Sequence, residues 1–538
     1  MSQYNASWWG EWWTANAQPI VEAYASRDVG QLWRVLERIP WTYFNYIKTI
    51  YERSPEHVII ETFLIVFICY IAFVKRSPSR PKGDTGEKLT EAEVQALVDE
   101  WAPEPIVPSN FVPQPDFPTC IGVVEETPGS HIKLQGVKEP LINMATLDFL
   151  GLASRPEIKS VARSALTKYG CGSCGPRGFY GTIDTHEILE KDVAGFIGTT
   201  DTITFSDLEA TCSSVIPAYA KRGDLVVVDD GVTESILIGV DLARCTTLFY
   251  KHNDMEDLER VLKSIRDADK KARRPSDAQR RYLITEGLFR NTGVIVDLPR
   301  IVKLCETYSF RLFLDETFSF GVLGATGRGL TEHSNVSVDD VDILCGALGT
   351  SLAGVGGFST GSQLVVDYQR INSAGYVFSA SAPPYTSAVA SESIRIIRRE
   401  PELLKKLREL SSQAHGLLSA IPGLQVLSDP VSPVIHVRVA QSLAGNESKE
   451  WMSKVCRAAV EEAKTRGLAV VSPYVKPNRL TETPLATVRM TINANHSPAL
   501  ITSAVKILVD ALQAAVDSHS TSKRDLRKAD STPKKTKK

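Results

Sequence analysis

Two cysteines two residues apart, Cys171 and Cys174, begin the part of this sequence whose residue types most suggest chemistry. A C-x-x-C pair can bind zinc or exchange a disulfide, but a zinc site needs a second Cys/His pair at similar spacing and none follows. Five glycines from Gly170 to Gly181 instead predict a tight loop whose backbone closely approaches another surface. Such a loop is typical of a phosphate-binding site or of a packed turn, and its residues alone do not decide between the two.

The elements that would position this loop alternate in type beyond Thr119. Apolar, β-branched runs at Asp224–Asp229, Tyr282–Thr285 and Leu312–Asp315 predict buried strands. Strands of this kind, joined by crossover helices, predict a mostly parallel α/β sheet that is covered on both faces. The amphipathic stretches that predict these helices include Pro156–Tyr169, Met255–Ala272 and Pro299–Tyr308.

The pattern changes near Thr386, where longer helical stretches with fewer strands predict a smaller α+β domain. Its predicted strands are Val434–Val439 and Thr487–Asn493. The last stretch, Lys523–Lys538, is rich in lysine and arginine and otherwise polar, which predicts a solvated, disordered tail.

Composition excludes several classes of protein. Of the 538 residues, 43% are hydrophobic and 23% charged, which is enough apolar surface for a core and excludes a mainly disordered or fibrous chain. The formal net charge of −2 gives no electrostatic argument for nucleic-acid binding. Nine scattered cysteines are too sparse for a disulfide framework and favour a reducing environment.

One segment departs from this average. The run Val58–Val74 is apolar except for Glu61, and as a helix it would span about 25 Å, at the short end of what crosses a bilayer. A buried core helix is the alternative, but the flanking charges favour a permanent membrane anchor. By the positive-inside rule they leave the N-terminus outside the cytosol. The basic residues on the C-terminal flank are Lys75, Arg76, Arg80, Lys82 and Lys88.

The first 56 residues hold six of the eight tryptophans. Four of them are spaced so that they share one helical face, which predicts an amphipathic helix at the membrane–water interface. A small soluble helical hairpin is the alternative. The four tryptophans are Trp8, Trp9, Trp12 and Trp13.

These observations divide the chain into six parts. They are a Trp-rich segment (1–56), a transmembrane helix (57–74), a linker and docking segment (75–118), a large α/β domain (119–385), a C-terminal small domain (386–519) and a basic tail (520–538).

Several motifs together carry a family resemblance. They are Gly170–Gly181, Lys251–Asp254, Asp315–Gly329 with Glu332 and His333, Val341–Ile343 and Phe378–Pro384. Over about residues 119–515 the chain resembles the α-oxoamine synthases, pyridoxal-phosphate enzymes that condense an amino acid with an acyl-CoA. The stretch Cys174–Thr182, the stretch Ala218–Asp224 and the predicted anchor are most similar to the serine palmitoyltransferase branch. The resemblance implies an aspartate-aminotransferase-like large domain, a smaller C-terminal α+β domain and a preceding transmembrane helix.

The positions that hold the cofactor in the family are altered here. Thr350 stands where the family has the lysine that forms the Schiff base, and no lysine occurs from Leu304 to Leu404. Thr233 and Phe318 stand where the family has two histidines. The resemblance therefore implies no catalytic residue on this chain and no covalently bound pyridoxal phosphate.

Other family positions are changed or kept. Glu209 falls where relatives hold the cofactor phosphate, and its carboxylate would repel that group. Asp315, the expected partner of the pyridine nitrogen, and Arg489, the expected site for the substrate carboxylate, are kept. A buried Asp and Arg can equally be kept as structural hydrogen-bonding groups, and we favour that interpretation for both.

The resemblance implies a heterodimer with a lysine-bearing catalytic long-chain-base subunit, which would bind the pyridoxal phosphate. L-serine and palmitoyl-CoA would be condensed to 3-ketosphinganine at the endoplasmic reticulum membrane, with the N-terminus lumenal and the α/β domain cytosolic. Small activating subunits and Orm-family regulators are further partners that the resemblance allows, and no nucleic acid is implied. The residues expected to reach the partner's active site are Cys174, Arg177, Tyr180, Ser379 and Ser381, for which ordinary turn and interface packing is the alternative.

Two other functions stay open at this point. The chain could be a membrane scaffold or regulator that has reused the fold without a condensing partner. It could also be an independently active acyl-CoA synthase that uses a lysine from elsewhere.

Overall fold

The structure of the protein is a computed structural model. It describes residues 48, 60, 63, 64, 66–68, 70, 90–101, 106, 122–126, 129–275, 279–445, 449–473, 480, 486–520 and 525–527. The chain forms two compact units, Met1–Val112 and Pro113–Lys538. The predicted Trp-rich helix and most of the predicted basic tail lie outside the described residues.

The first unit contains helical residues inside the predicted anchor. Positions 60, 63, 64, 66–68 and 70 are helical, and every one of these apolar side chains is at least half exposed. Helix α1 (Glu91–Glu100) lies within the predicted linker and docking segment and begins with a capping box, in which Thr90 and Glu93 satisfy each other's backbone N–H groups.

The second unit contains thirteen strands among its described residues. They are β1 (His131–Ile132), β2 (Leu141–Asn143), β3 (Asp201–Phe205), β4 (Leu225–Asp229), β5 (Thr246–Tyr250), β6 (Arg281–Glu286), β7 (Arg311–Asp315), β8 (Ile343–Ala347), β9 (Gly357–Gly361), β10 (Leu424–Val426), β11 (Val434–Val439), β12 (Leu468–Ala469) and β13 (Val488–Thr491).

The helices of this unit connect and cover those strands. They are α2 (Pro156–Tyr169), α3 (Asp184–Ile197), α4 (Glu209–Tyr219), α5 (Glu234–Ala243), α6 (Met255–Ala272), α7 (Leu298–Tyr308), α8 (Leu330–His333), α9 (Gln363–Asn372), α10 (Ala374–Val377), α11 (Pro384–Arg399), α12 (Glu402–Ser419), α13 (Gln441–Ala444), α14 (Lys449–Thr465) and α15 (Pro498–His519), with a single turn at Arg177–Gly181 and a short 3₁₀ helix at Val338–Asp340.

Seven strands form the central sheet in the order β3-β9-β8-β7-β6-β4-β5. The pairs from β8 to β5 are parallel, whereas β9 runs antiparallel to both β3 and β8. The predicted mostly parallel α/β sheet is therefore confirmed. Strands β4, β6 and β8 are buried along their whole length, as expected for a sheet covered by helices on both faces.

The C-terminal part of the chain forms an α+β layer. Strands β10, β11 and β13 make one antiparallel sheet, against which helices α12 and α14 pack, and α15 packs against these two helices. Strand β2, which the sequence-based division placed in the large domain, lies between β1 and β12 and runs parallel to Leu468–Ala469 of β12. Among the described residues, only α15 is long and apolar enough to cross a membrane, and half of its most apolar stretch is buried in the protein.

Candidate functional site

Three neighbouring parallel strands of the central sheet each end in a buried carboxylate. Asp229 ends β4, Glu286 ends β6 and Asp315 ends β7, and these strands are adjacent in the order β7-β6-β4. In open α/β sheets, ligands bind outside the carboxyl ends of the parallel strands, so this edge is the candidate site. Among the described residues, no group of three or more His, Cys, Asp or Glu side chains is arranged to hold a metal ion.

Glu286 and Asp315 face each other across the β6–β7 register. Glu286 accepts hydrogen bonds from the backbone N–H groups of Thr233 and of Arg290, the latter at 3.0 Å. Burial, with the nearby Asp315 charge, raises the pKa of Glu286 to about 8. Burial also raises the pKa of Asp315, whose Oδ1 accepts bonds from the Thr317 amide and hydroxyl at 2.9 and 2.5 Å.

Asp229 is satisfied inside the protein. It accepts hydrogen bonds from the backbone N–H groups of Gly231 and Asn253 at 2.7 and 2.8 Å and pairs with His252 Nδ1 at 2.8 Å. The other ring nitrogen of His252 lies 3.0 Å from the Thr292 hydroxyl. This network fixes the loops that follow β4 and β5.

Thr350 lies in the loop after β8, where it is 2% exposed. Its hydroxyl donates to the carbonyl of Thr317 at 3.0 Å, and its carbonyl accepts the N–H of Phe149 at 3.2 Å. The buried Phe318 ring packs edge-on against Phe149, with ring centroids 6.0 Å apart. A bonded hydroxyl and two aromatic rings therefore occupy this part of the site.

Two predicted positions lie at helix N-termini. Glu209 is the first residue of α4, and its carboxylate pairs with Arg290 at 3.2 Å. Thr233 precedes α5, and its backbone N–H donates a hydrogen bond to the Glu286 carboxylate. A helix N-terminus can hold a phosphate, but at α4 the carboxylate of Glu209 already provides a negative charge there.

Arg489 lies on β13 opposite His436 of β11. It is 9% exposed, its Nε has no hydrogen-bond partner, and its nearest described acceptor is the Ala145 carbonyl, 3.5 Å from Nη2. Burial, with the charge of Arg290, lowers the pKa of Arg489 to about 10, and burial lowers that of His436 to about 3. Arg489 is thus a buried guanidinium without a described acidic partner.

The glycine-rich loop is fastened from inside by Arg177. Its guanidinium donates to both carboxylate oxygens of Glu190, at 2.7 and 3.0 Å, and to the hydroxyl of Thr204 at 3.0 Å. Both charged side chains are only 6% exposed, so this is a buried ion pair. Arg177 therefore points into its own chain, beside a cavity of about 380 Å³ that Arg370 and Tyr376 also line.

Ser381 joins this loop to the segment between α10 and α11. Its hydroxyl lies 2.9 and 2.7 Å from the carbonyl oxygens of Gly175 and Gly181, which share its one proton, and its N–H donates to the Gly175 carbonyl at 2.9 Å. Gly181 cannot carry a side chain, because a Cβ there would lie 1.9 Å from the Gly175 oxygen. Ser379 is half-buried, and its hydroxyl donates to the carbonyl of Gly375.

The outer side of the same two segments is exposed and largely apolar. Phe179, Tyr180 and Phe378 present most of their side-chain surface to solvent, and Cys174 is also exposed. Cys174 and Tyr180 adopt left-handed backbone angles, with φ of 57° and 66°, which are uncommon for residues other than glycine.

The structure brings Asp315, Thr350 and Phe318 to one strand edge and gathers the loop residues in a second cluster. Sequence reasoning missed Glu286 at the strand edge, and it missed Glu190 and His186, which hold the loop cluster. The available signal for Glu286 was a carboxylate at the carboxyl end of a buried strand. Glu190 and His186 lie inside an amphipathic helix and carried no such signal.

The fold and its buried strand edge define a class of protein. Residues 139–508 match the family described as aminotransferase class I and II. The match covers the central sheet and most of the C-terminal layer.

Curated relatives narrow this class. The chain is 36% identical over 471 residues to a Dictyostelium discoideum protein named serine palmitoyltransferase 1, covering 87% of this chain and 95% of the relative. It is 39% identical to an Arabidopsis thaliana long chain base biosynthesis protein 1, covering 77% of this chain and 83% of the relative. A Saccharomyces cerevisiae serine palmitoyltransferase 1 is 35% identical, with 75% of each chain covered. The chain belongs to this serine palmitoyltransferase 1 and long chain base biosynthesis protein 1 family.

Solved structures agree with the family. A serine palmitoyltransferase structure described as containing a pyridoxal-phosphate internal aldimine has a TM-score of 0.64 and 25% identity, covering 74% of this chain and 92% of that chain. A serine palmitoyltransferase variant from S. paucimobilis with a bound PLP–myriocin aldimine also has a TM-score of 0.64 and 25% identity, covering 80% of this chain and 96% of that chain. The predicted pyridoxal-phosphate-dependent transferase fold is confirmed.

Proposed function

We propose that this chain is the non-catalytic but required subunit of a serine palmitoyltransferase. It pairs with a lysine-bearing long-chain-base subunit, and the complex condenses L-serine with palmitoyl-CoA to 3-ketosphinganine, the first step of long-chain-base synthesis. The observation that carries the proposal is Thr350, a buried residue in the loop after β8, at the position that the resemblance assigns to the cofactor lysine.

The residues of this strand edge do not fit a covalently held pyridoxal phosphate. The hydroxyl of Thr350 cannot form an imine, and it is bonded to the Thr317 carbonyl. Phe318 fills a position where the resemblance expects an imidazole. Glu209 puts a carboxylate at the helix end where the phosphate would lie, so binding there would be opposed by charge repulsion. We therefore assign the pyridoxal phosphate to the partner subunit.

The exposed loop surface supports a partner at this place. Large apolar side chains are costly to leave in water, and aromatic residues are enriched in the buried centres of interfaces. Phe179, Tyr180 and Phe378 form such a surface on segments that the chain holds firmly from within. We infer that Cys174 and Tyr180 contact the partner, while Arg177 and Ser381 hold the loops in shape from inside this chain.

The role of this chain in the reaction follows from those contacts. When bound to the partner, pyridoxal phosphate supplies the electron sink for bond making at the α-carbon of serine. The loops of this chain close the partner's site and exclude water. Arg177 and Ser381 fix the loop backbone, so the substrates meet a preformed surface.

We also propose that residues 58–74 anchor the chain in the endoplasmic reticulum membrane, with the N-terminus lumenal. The described helical positions of this segment expose apolar side chains that a bilayer would cover. Small activating subunits and Orm-family regulators remain proposals from the resemblance alone.

The decisive experiment compares this chain purified alone, the partner alone and the co-expressed complex. We expect bound pyridoxal phosphate and condensation activity only with the partner, and full activity only in the complex. Thr350→Lys in the isolated chain should give neither bound pyridoxal phosphate nor condensation activity, because Phe318 and Glu209 are unchanged. Turnover by the isolated chain would support the independent synthase, whereas failure to recover the lysine-bearing subunit with this chain would support the scaffold.

A further inference from the structure

His186 lies on α3 directly after the glycine-rich loop and has no exposed surface. Its Nδ1 is 3.1 Å from the backbone N of Ile183, and its Nε2 is 2.8 Å from the carbonyl oxygen of Ala382. The imidazole thus bridges the start of α3 and the segment between α10 and α11.

The partners of the two ring nitrogens fix the tautomer of His186. An N–H group at Ile183 can only donate, so Nδ1 must accept, and the carbonyl of Ala382 can only accept, so Nε2 must carry the proton. Burial lowers the pKa of His186, which agrees with a neutral ring. A neutral ring with both nitrogens bonded holds its two neighbours at a fixed separation.

Both neighbours belong to the segments that the proposed function places against the partner. Ala382 follows Ser381, whose hydroxyl holds the carbonyls of Gly175 and Gly181. Ile183 lies two residues beyond Gly181, at the end of the same loop. The hydroxyl of Ser173, in the same loop, also donates to the Ser381 carbonyl at 2.9 Å.

We propose that His186 is a positioning residue for the condensation: it sets the separation of the glycine-rich loop and the serine-containing segment, and thereby the shape of the surface offered to the partner's active site. This inference rests on the proposed function. His186 touches neither substrate nor cofactor. A loop displaced by about 1 Å can lower the rate by roughly a hundredfold, so loss of the bridge should be visible in turnover.

Two substitutions test the two hydrogen bonds of the His186 ring one at a time. His186→Asn keeps an acceptor near the Nδ1 position for the Ile183 N–H but cannot reach Ala382. His186→Gln keeps a donor near the Nε2 position and can reach Ala382. The matched control is His415→Asn, because His415 also bonds a backbone carbonyl, that of Ser428 at 3.0 Å, but lies on α12.

The measurements are kcat and KM for serine in the purified complex, its thermal unfolding midpoint, and hydrogen exchange of the Ser381 amide in this chain. We expect His186→Asn to lower kcat/KM at least about tenfold and to speed Ser381 exchange, with assembly unchanged. His186→Gln should stay within about threefold of the wild type in kcat/KM, and so should His415→Asn.

Two results would overturn the inference alone: an active wild-type complex in which His186→Asn is equally active, or equal losses for the Asn and Gln variants, which would indicate packing rather than the Ala382 bond. If His186→Asn fails to assemble, unchanged Ser381 exchange in the isolated variant would likewise overturn it, and faster exchange would support it. An inactive wild-type complex would overturn the proposed function and this inference together.

Discussion

The buried pair of Arg177 and Glu190 allows a quantitative test of how the glycine-rich loop is held. Arg177→Met removes the guanidinium but keeps much of the side-chain volume. Glu190 then loses bonds at 2.7 and 3.0 Å and keeps only the backbone N–H and hydroxyl of Thr204, each at 3.0 Å, with Arg370 no nearer than 4.0 Å. Leaving a buried carboxylate without its main partner destabilises the fold by roughly 3–5 kcal/mol. Because the two Thr204 donors still bond Glu190, we expect the low end of this range, about 3 kcal/mol.

This free energy converts to a measurable shift. Unfolding entropy of about 2.1 cal/mol/K per residue over a unit of about 400 residues gives about 0.8 kcal/mol per degree. Arg177→Met should therefore lower the thermal unfolding midpoint of the purified complex by about 4 °C. The double variant with Glu190→Leu should recover part of this loss, because it leaves no unpaired charge.

The control for this test is Arg395→Met. Arg395 pairs with Asp192 at 3.2 Å and with Glu392 at 3.1 Å, but its side chain is 51% exposed. Exposed pairs contribute about 0–1 kcal/mol, so the shift should be about 1 °C or less. The reasoning is refuted if Arg177→Met shifts the midpoint no more than this control, or if the double variant loses the full sum of the single changes.

Three further predictions use other parts of the chain. Glu286 has a pKa of about 8 in the folded state, so the folded state keeps a proton that the unfolded state has released. The thermal unfolding midpoint should therefore fall as pH rises from 6 to 8.5. Glu286→Gln should make the midpoint depend less on pH over this range. Cys174 has a left-handed backbone, which costs an L-residue about 1–2 kcal/mol relative to glycine, so Cys174→Gly should be neutral or stabilising, and Cys174→Val should be destabilising in unfolding measurements because β-branched residues tolerate this region least. Replacing Leu64, Val66 and Ile68 with Asp should release the chain on alkaline extraction of membranes, at roughly 2.5–3.5 kcal/mol for each charge near a helix centre; retention of the triple variant would show that another element holds it there.

The sequence by itself determined the elements whose signals are local. The 3.6-residue periodicity predicted α2 and α6 with the bounds that the structure has, and apolar runs placed β4, β6 and β7 to within a residue or so. These predictions succeed because an amphipathic helix or a strand buried on both faces must show its burial in its own residue order. The motif resemblance likewise identified the family, since each motif is contiguous.

Only the tertiary structure decided which distant residues meet. The sequence marked Arg177 and Ser381 as candidates to reach a partner, but the fold directs Arg177 to Glu190 and Ser381 to two glycine carbonyls of its own chain. It also pairs β2 with β12, and places Glu286 beside Asp315. Such contacts depend on strand order and register, which join residues far apart in the chain and leave no periodic signal in either segment. Because Arg177 and Ser381 are buried where these contacts form, their hydrogen bonds are shielded from water and can hold the loop in place.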